Sequence, residues 1–155
     1  MNEHGEMINE KSFQDLLKAV REKKRILLVG APEAHGLTTL AMALIMHGDE
    51  AGINYELFDS DMMRNRAGEG EFYFAQLKTT ADIQVLLRLW AHGATGIAAM
   101  YGTSIEDATA WLEAVMKKGG IREAEAFVNC TIDVICMIEN ENGSSVVKDI
   151  VVLHH

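Results

Sequence analysis

The stretch that most constrains this chain is Arg25 to Thr39, Arg-Ile-Leu-Leu-Val-Gly-Ala-Pro-Glu-Ala-His-Gly-Leu-Thr-Thr. Ile26 to Val29 is a short apolar run with charge before it and Gly30 after it. That is the pattern of a parallel strand buried on both faces. A loop of mostly small residues follows, and a helix is expected from Thr38 to His47, carrying Leu40, Ala41, Ala43, Leu44 and Ile45. Strand, glycine-bounded loop and helix form the geometry in which backbone N–H groups and a helix N-terminus converge on an anion.

An intact phosphate loop reads G-x-x-x-x-G-K-[ST], its Lys reaching the β/γ-phosphates and its hydroxyl holding Mg²⁺. Here five residues separate Gly30 from Gly36, Leu37 stands at the Lys position, and Glu33 puts a carboxylate inside the loop. Losing a cation and gaining an anion both oppose phosphate binding. Thr38 and Thr39 offer hydroxyls to Mg²⁺, but hydroxyls at a helix start serve equally as caps. Two readings follow for Gly30, Ala31, Pro32, Glu33, Ala34, His35, Gly36, Leu37, Thr38 and Thr39. They form a degenerate nucleotide site for ATP and Mg²⁺, or a scaffold loop without a ligand.

Periodicity fills in the rest. Phe13, Leu16, Leu17 and Val20 fall at helical spacing after Ser12, a candidate N-cap. Gly48 reads as a helix stop. Strands are expected over residues 55–58, 71–77 and 96–101, with residues 62–70 as a loop between the first two. Helices are expected after Thr80 and after Ser104, with Lys117, Lys118, Gly119 and Gly120 closing the second. A short helix over 121–128 precedes strands over 132–139 and 145–153, joined by the hairpin residues Asn140-Glu141-Asn142-Gly143. Alternating strands and helices with a terminal hairpin predict an α/β sheet with helices on both faces. Residues 1–11 read as a flexible N-terminus and 12–153 as one domain.

The composition narrows the function. A chain of 155 residues, 48% hydrophobic and 24% charged, has room for one core. A net charge of −9 argues against a nucleic-acid partner, and Arg21 to Arg25 reads as a solvated helix end. No run approaches the roughly 18 apolar residues of a membrane span, and nothing reads as a signal peptide. Cys130 and Cys136 lie in apolar surroundings, which suits buried thiols in a reducing cytoplasm. His35, His47 and His92 have no ligand spacing, so no metal site is expected. Trp90, Trp111 and the nine methionines read as core. His154 and His155 carry no argument.

The order of these segments resembles the C-terminal motor domain of the traffic ATPases of type II and type IV secretion, type IV pili and conjugal transfer. Five segments carry the likeness: Phe13 to Ile45; the acidic strand end Leu57-Phe58-Asp59-Ser60-Asp61; Phe72 to Leu77 with the helix to Ala91; Gly93-Ala94 with Ala99-Met100-Tyr101; and Ile121 through Glu139. The resemblance implies a three-layer P-loop (RecA-like) fold. It places Asp59 and Asp61 at a strand end, Gln76 at the Walker B position and Tyr101 at the sensor-like position of a Thr-Leu-His segment. The departures fall on chemistry. Leu37 replaces the loop Lys, and Gln76 cannot take a proton from water as a Walker B Glu would. The family's N-terminal domain has no counterpart in these residues. What the resemblance implies is therefore a protein without catalytic residues, a non-catalytic subunit or regulator. It would be cytoplasmic or held at the inner membrane by partners, which are further copies of itself or secretion-system components. The alternative is a reduced, functional ATPase of a type IV secretion or conjugal-transfer system.

Overall fold

A computed structural model describes residues 10–31, 36–141 and 144–153. The described residues form six helices and six strands. In chain order these are α1 (Glu10–Arg21), β1 (Arg25–Gly30), α2 (Gly36–Glu50), β2 (Glu56–Leu57), α3 (Ser60–Met63), β3 (Phe72–Gln76), α4 (Thr80–Ala91), β4 (Thr95–Tyr101), α5 (Ile105–Lys118), α6 (Ala124–Thr131), β5 (Val134–Glu141) and β6 (Ser144–Val152). The strands make one sheet in the order β2-β3-β4-β1-β5-β6. Every pairing is parallel except β5 with β6, which is antiparallel. The expected α/β sheet with helices on both faces and a C-terminal hairpin is the observed fold.

β1 lies between β4 and β5, and its alternation builds two cores. Ile26 and Leu28 enter one with α1 and α2, beside Leu16, Leu40 and Leu44. Leu27 and Val29 enter the other, with Leu86, Trp90, Leu112 and Val128 of α4, α5 and α6. A strand with both faces dry must be apolar throughout, which is why this run was legible.

Arg25 anchors the amino end of the central strand. Its backbone N–H and Nε donate to Asp133 Oδ2 at 2.8 and 3.0 Å, and Nη2 donates to Oδ1 at 3.0 Å. Its Nη1 donates to the Trp90 carbonyl at 3.3 Å. One guanidinium thus joins the starts of β1 and β5 to the end of α4. Its planar fork matches the carboxylate in a way that a Lys could not.

Several local expectations are corrected. Gly48 does not stop α2, which continues to Glu50. A Cβ at Gly48 would stand 2.6 Å from Tyr55 Cε2, so the glycine makes room for that ring. Ser12 lies inside α1, and α4 is capped by Thr79 rather than Thr80. The Thr79 hydroxyl accepts from the Asp82 N–H, while Asp82 accepts from the Thr79 N–H, a closed capping box. The expected 62–70 loop begins inside the four-residue α3. The last helix and the hairpin strands are displaced by a few residues from the expected bounds, where end assignment is least determined by pattern. Trp111 is 39% exposed, and Met42, Met46 and Met62 are at least half exposed, so these four are not core. Residues 1–9, 142–143 and the terminal His pair lie outside the described residues.

Asp133→Ala would leave the largely buried Arg25 guanidinium without its counter-charge. The expected loss is about 3–5 kcal/mol of unfolding free energy, checked by urea denaturation. Asp133→Asn, which keeps the shape and one acceptor, is expected to lose less.

Candidate functional site

The carboxyl ends of β1, β3 and β4 meet the first turn of α2, the place where open parallel sheets hold their ligands. Register sets the arrangement: Gly30 lies beside Tyr101, and Gln76 beside Ala99. The Gly102 N–H donates to the Gly30 carbonyl at 3.0 Å, and the Leu77 N–H to the Ala99 carbonyl at 2.8 Å, so the strand ends are tied together. They border a small depression open to solvent. Leu37, Ala41, Phe74 and Ala99 give it an apolar floor, and Thr38, Gln76, Lys78 and Tyr101 give it polar groups.

Four of the residues singled out from the sequence therefore come together: Leu37, Thr38, Gln76 and Tyr101. Gly30 ends β1 beneath them, and Gly36 begins α2. Thr38 and Thr39 are exposed, and Ala31 is half-buried. Pro32, Glu33, Ala34 and His35 lie outside the described residues. Asp59 and Asp61 are not part of the lining. The Asp59 carboxylate accepts from the N–H groups of Asp61 and Met62 as the N-cap of α3. Asp61 pairs with Arg64 at 3.3 Å on the surface.

Leu37 shows how the site departs from a phosphate clamp. It is 5% exposed and packs into the α1/α2 core with Leu16, Leu40 and Ile138. A Cβ on Gly30 would stand 3.6 Å from it. The first turn of α2 thus spends its anchor side chain on the hydrophobic core. Gln76 is exposed at the end of β3 and presents an amide, which neither accepts a proton from water nor offsets a divalent charge. A Mg-nucleotide calls for a cation at the phosphates and a carboxylate near the attacking water. The described residues at these two positions do not supply that donor set.

Lys78 is the group that the sequence reading missed. It lines the depression two residues beyond Gln76. The signal was available: side chains alternate along β3, so Phe74, Gln76 and Lys78 share a side. Continuing that period past the strand end would have found it.

Elsewhere, burial pushes the Cys136 thiol up to about 12, with Asp149 adding to the effect. It stays a neutral core group, while Cys130 is exposed.

A sheet of order β2-β3-β4-β1-β5, entered through strand, loop and helix, is the P-loop class of α/β fold. Two solved structures have this fold across nearly the whole chain. One is the VirB11 ATPase of the Brucella suis type IV secretion system in complex with sulphate, at 16% identity and a TM-score of 0.70, covering 92% of this chain and 53% of that one. The other is the Legionella pneumophila ATPase DotB, at 11% identity and a TM-score of 0.66, covering 97% of this chain and 52% of that one. The chain spans about half the length of these structures. No protein-family model and no curated protein matches the sequence. The fold of the type IV secretion ATPases is thus the fold of this chain, as the segment order implied.

Replacing Leu37 by Lys puts an ammonium where the core holds a leucine. Leu37→Lys is expected to cost about 2 kcal/mol or more in urea denaturation, within the range for losing a buried leucine. Leu37→Met, which conserves volume, should cost less than about 1.5 kcal/mol. An unchanged midpoint for the Lys variant would mean that the position is open to solvent after all.

Proposed function

We propose that this chain is a degenerate P-loop domain that does not hydrolyse nucleotide. It acts through protein contacts as a non-catalytic subunit or regulator of a secretion or conjugation machine. The observation that carries this reading is the buried Leu37 side chain, packed into the core from the turn that would otherwise direct a cation to phosphate. Gln76 adds to it. Without a carboxylate at that strand end, an attacking water lacks its orienting base. The machine is named from the likeness to VirB11 and DotB, and the partners would be further copies of the chain or secretion components. Among the described residues no helix is long and apolar enough to cross a membrane. A place in the cytoplasm, or at a membrane through partners, follows from the same likeness.

One observation favours a second reading, a reduced ATPase that still binds ATP and Mg²⁺. Lys78, just past β3, brings a cation to the depression that Thr38, in the first turn of α2, also lines. A cation arriving from another element would serve as a point charge for phosphate, though without the geometry of a phosphate loop.

Two measurements decide between them. Purified protein is expected to release no phosphate from ATP above background. Its melting temperature is expected to stay fixed in millimolar Mg-ATP. A ligand at a hundred times its Kd would add about 2.7 kcal/mol to stability and raise the midpoint by several degrees. Turnover that disappears with Thr38→Ala would establish the ATPase reading instead. A melting shift that disappears with Lys78→Ala, without turnover, would show nucleotide binding by the non-catalytic chain.

A further inference from the structure

The two edges of the sheet are finished differently. One is β2, two residues long, and so short an edge offers little backbone to an incoming strand. The other is β6, nine residues from Ser144 to Val152, which pairs with β5 and with no other described strand. It holds no proline, and Val146, Val147, Ile150, Val151 and Val152 are β-branched. Val152 is 54% exposed. The outer row of N–H and C=O groups on such a strand is a template on which another strand pairs.

A bulge decides which strand fits. Met137 lies opposite Asp149 and Ile138 opposite Val147, so Lys148 is an extra residue on β6. Directly opposite residues share a face of the sheet. Val147 and Ile150 therefore lie with Ile138 and Cys136 on the side of α1 and α2. Asp149 and Val151 lie with Met137 and Ile135 on the side of α4, α5 and α6, and Val146, opposite Glu139, follows by alternation. Lys148 is on that side too, its Nζ 2.8 Å from Glu139 Oε2. In a regular strand, residues share a face only when they are an even number apart. A two-fold axis normal to the sheet must then pass through a residue. The extra residue changes this count. About an axis between Lys148 and Asp149, Lys148 meets Asp149 of a second copy, Val147 meets Ile150, and Val146 meets Val151. Each of these pairs shares a face. An axis through Lys148 would set Val147 against Asp149, and one through Asp149 would set Ile150 against Lys148. Both bring opposite faces together and set like charges against each other.

We infer that β6 pairs antiparallel with β6 of a second copy about the axis between Lys148 and Asp149, joining the two sheets into one. The inference rests on the reading that the chain works through further copies of itself, and it names the surface. Charge agrees with the register. Around the axis Lys and Asp alternate, each facing its opposite sign. The other charges on these two strands are Glu139, bonded to Lys148, and Glu141, opposite Ser144. Asp133, just before β5, is held by Arg25. α2, which packs on β6, carries no charge before His47. Among the described residues Asp149 pairs with no cation. An ammonium has three N–H groups, so Lys148 can bond Glu139 and Asp149 of the second copy together. The β-branched pairs on either side add cross-strand packing. A bulge at an edge usually deters pairing. Here it penalises the displaced registers that run through it and spares the symmetric one.

The test uses the full chain. Sedimentation is expected to show a monomer–dimer equilibrium, and hydrogen exchange to show β6 amides that slow as concentration rises. In a half-labelled dimer, methyl NOEs between Val147 of one copy and Ile150 of the other read the register. Lys148→Asp and Asp149→Lys are each expected to weaken the dimer by about tenfold or more, because two-fold symmetry counts each change twice. Mixed together, the two variants are expected to pair with each other at the parent's strength or better, since every contact across the axis is again of opposite sign. A chain that stays monomeric at millimolar concentration would overturn the inference, leaving the edge to a strand of another protein. So would a dimer without β6 protection, or folded variants that do not recover on mixing. Amides of β6 that are slowed equally at every dilution would also overturn it, because the chain itself would then cover the edge. ATP turnover is a separate readout: it bears on the non-catalytic reading and not on whether β6 pairs.

Discussion

Everything in this fold hangs on how the central strand is held at its amino end. Arg25 meets Asp133 through three hydrogen bonds and reaches the Trp90 carbonyl with a fourth. The two partners are 108 residues apart, yet they set the start of β1 against the start of β5 and the end of α4. Hydrophobic burial is non-directional and would tolerate a slipped sheet. A two-residue slip keeps every side chain on its own face, so burial alone selects poorly among such registers. The fork is directional and selects one.

From that register the strand ends fall into place at the other edge of the sheet. Gly30, Gln76 and Tyr101 arrive together because they are the last residues of neighbouring parallel strands. The fold builds this meeting point whatever the side chains there can do. That separation of scaffold from chemistry is why the fold alone does not decide what Leu37, buried in the core, and Gln76, exposed at its strand end, do there.

The fold was legible because its signals are repetitive. Ile26 to Val29 must be apolar on both faces, and α1, α2, α4 and α5 carry their periods over three turns or more. What pattern left unread was local or tertiary. Gly48 looks like a helix stop, but it is a helical residue cleared for the Tyr55 ring, a contact between elements. α3 is one turn held by the Asp59 cap, too short to show a period. The exposure of Met42, Met46 and Trp111 depends on which helices lie beside them, which no window of sequence contains. Of the residues that line the depression, Leu37 and Thr38 were singled out by the loop motif, and Gln76 and Tyr101 by the resemblance. Asp59 and Asp61 lie outside the lining, their carboxylates serving a helix cap and a surface pair. Lys78 was overlooked because it lies just past the last hydrogen-bonded residue of β3.

The central position of β1 has a consequence for how the chain is made. Among the described strands it comes first in the chain, and its two neighbours, β4 and β5, are made much later. With domains emerging at about 5–20 residues per second, an apolar segment stays without its sheet partners for several seconds. Until α4 follows, the described helices made so far that cover it in the finished fold are α1 and α2, and they lie on one face alone. The strand at the middle of the sheet is therefore an apolar surface that waits for its partners. This topology favours slow, late closure over early local assembly.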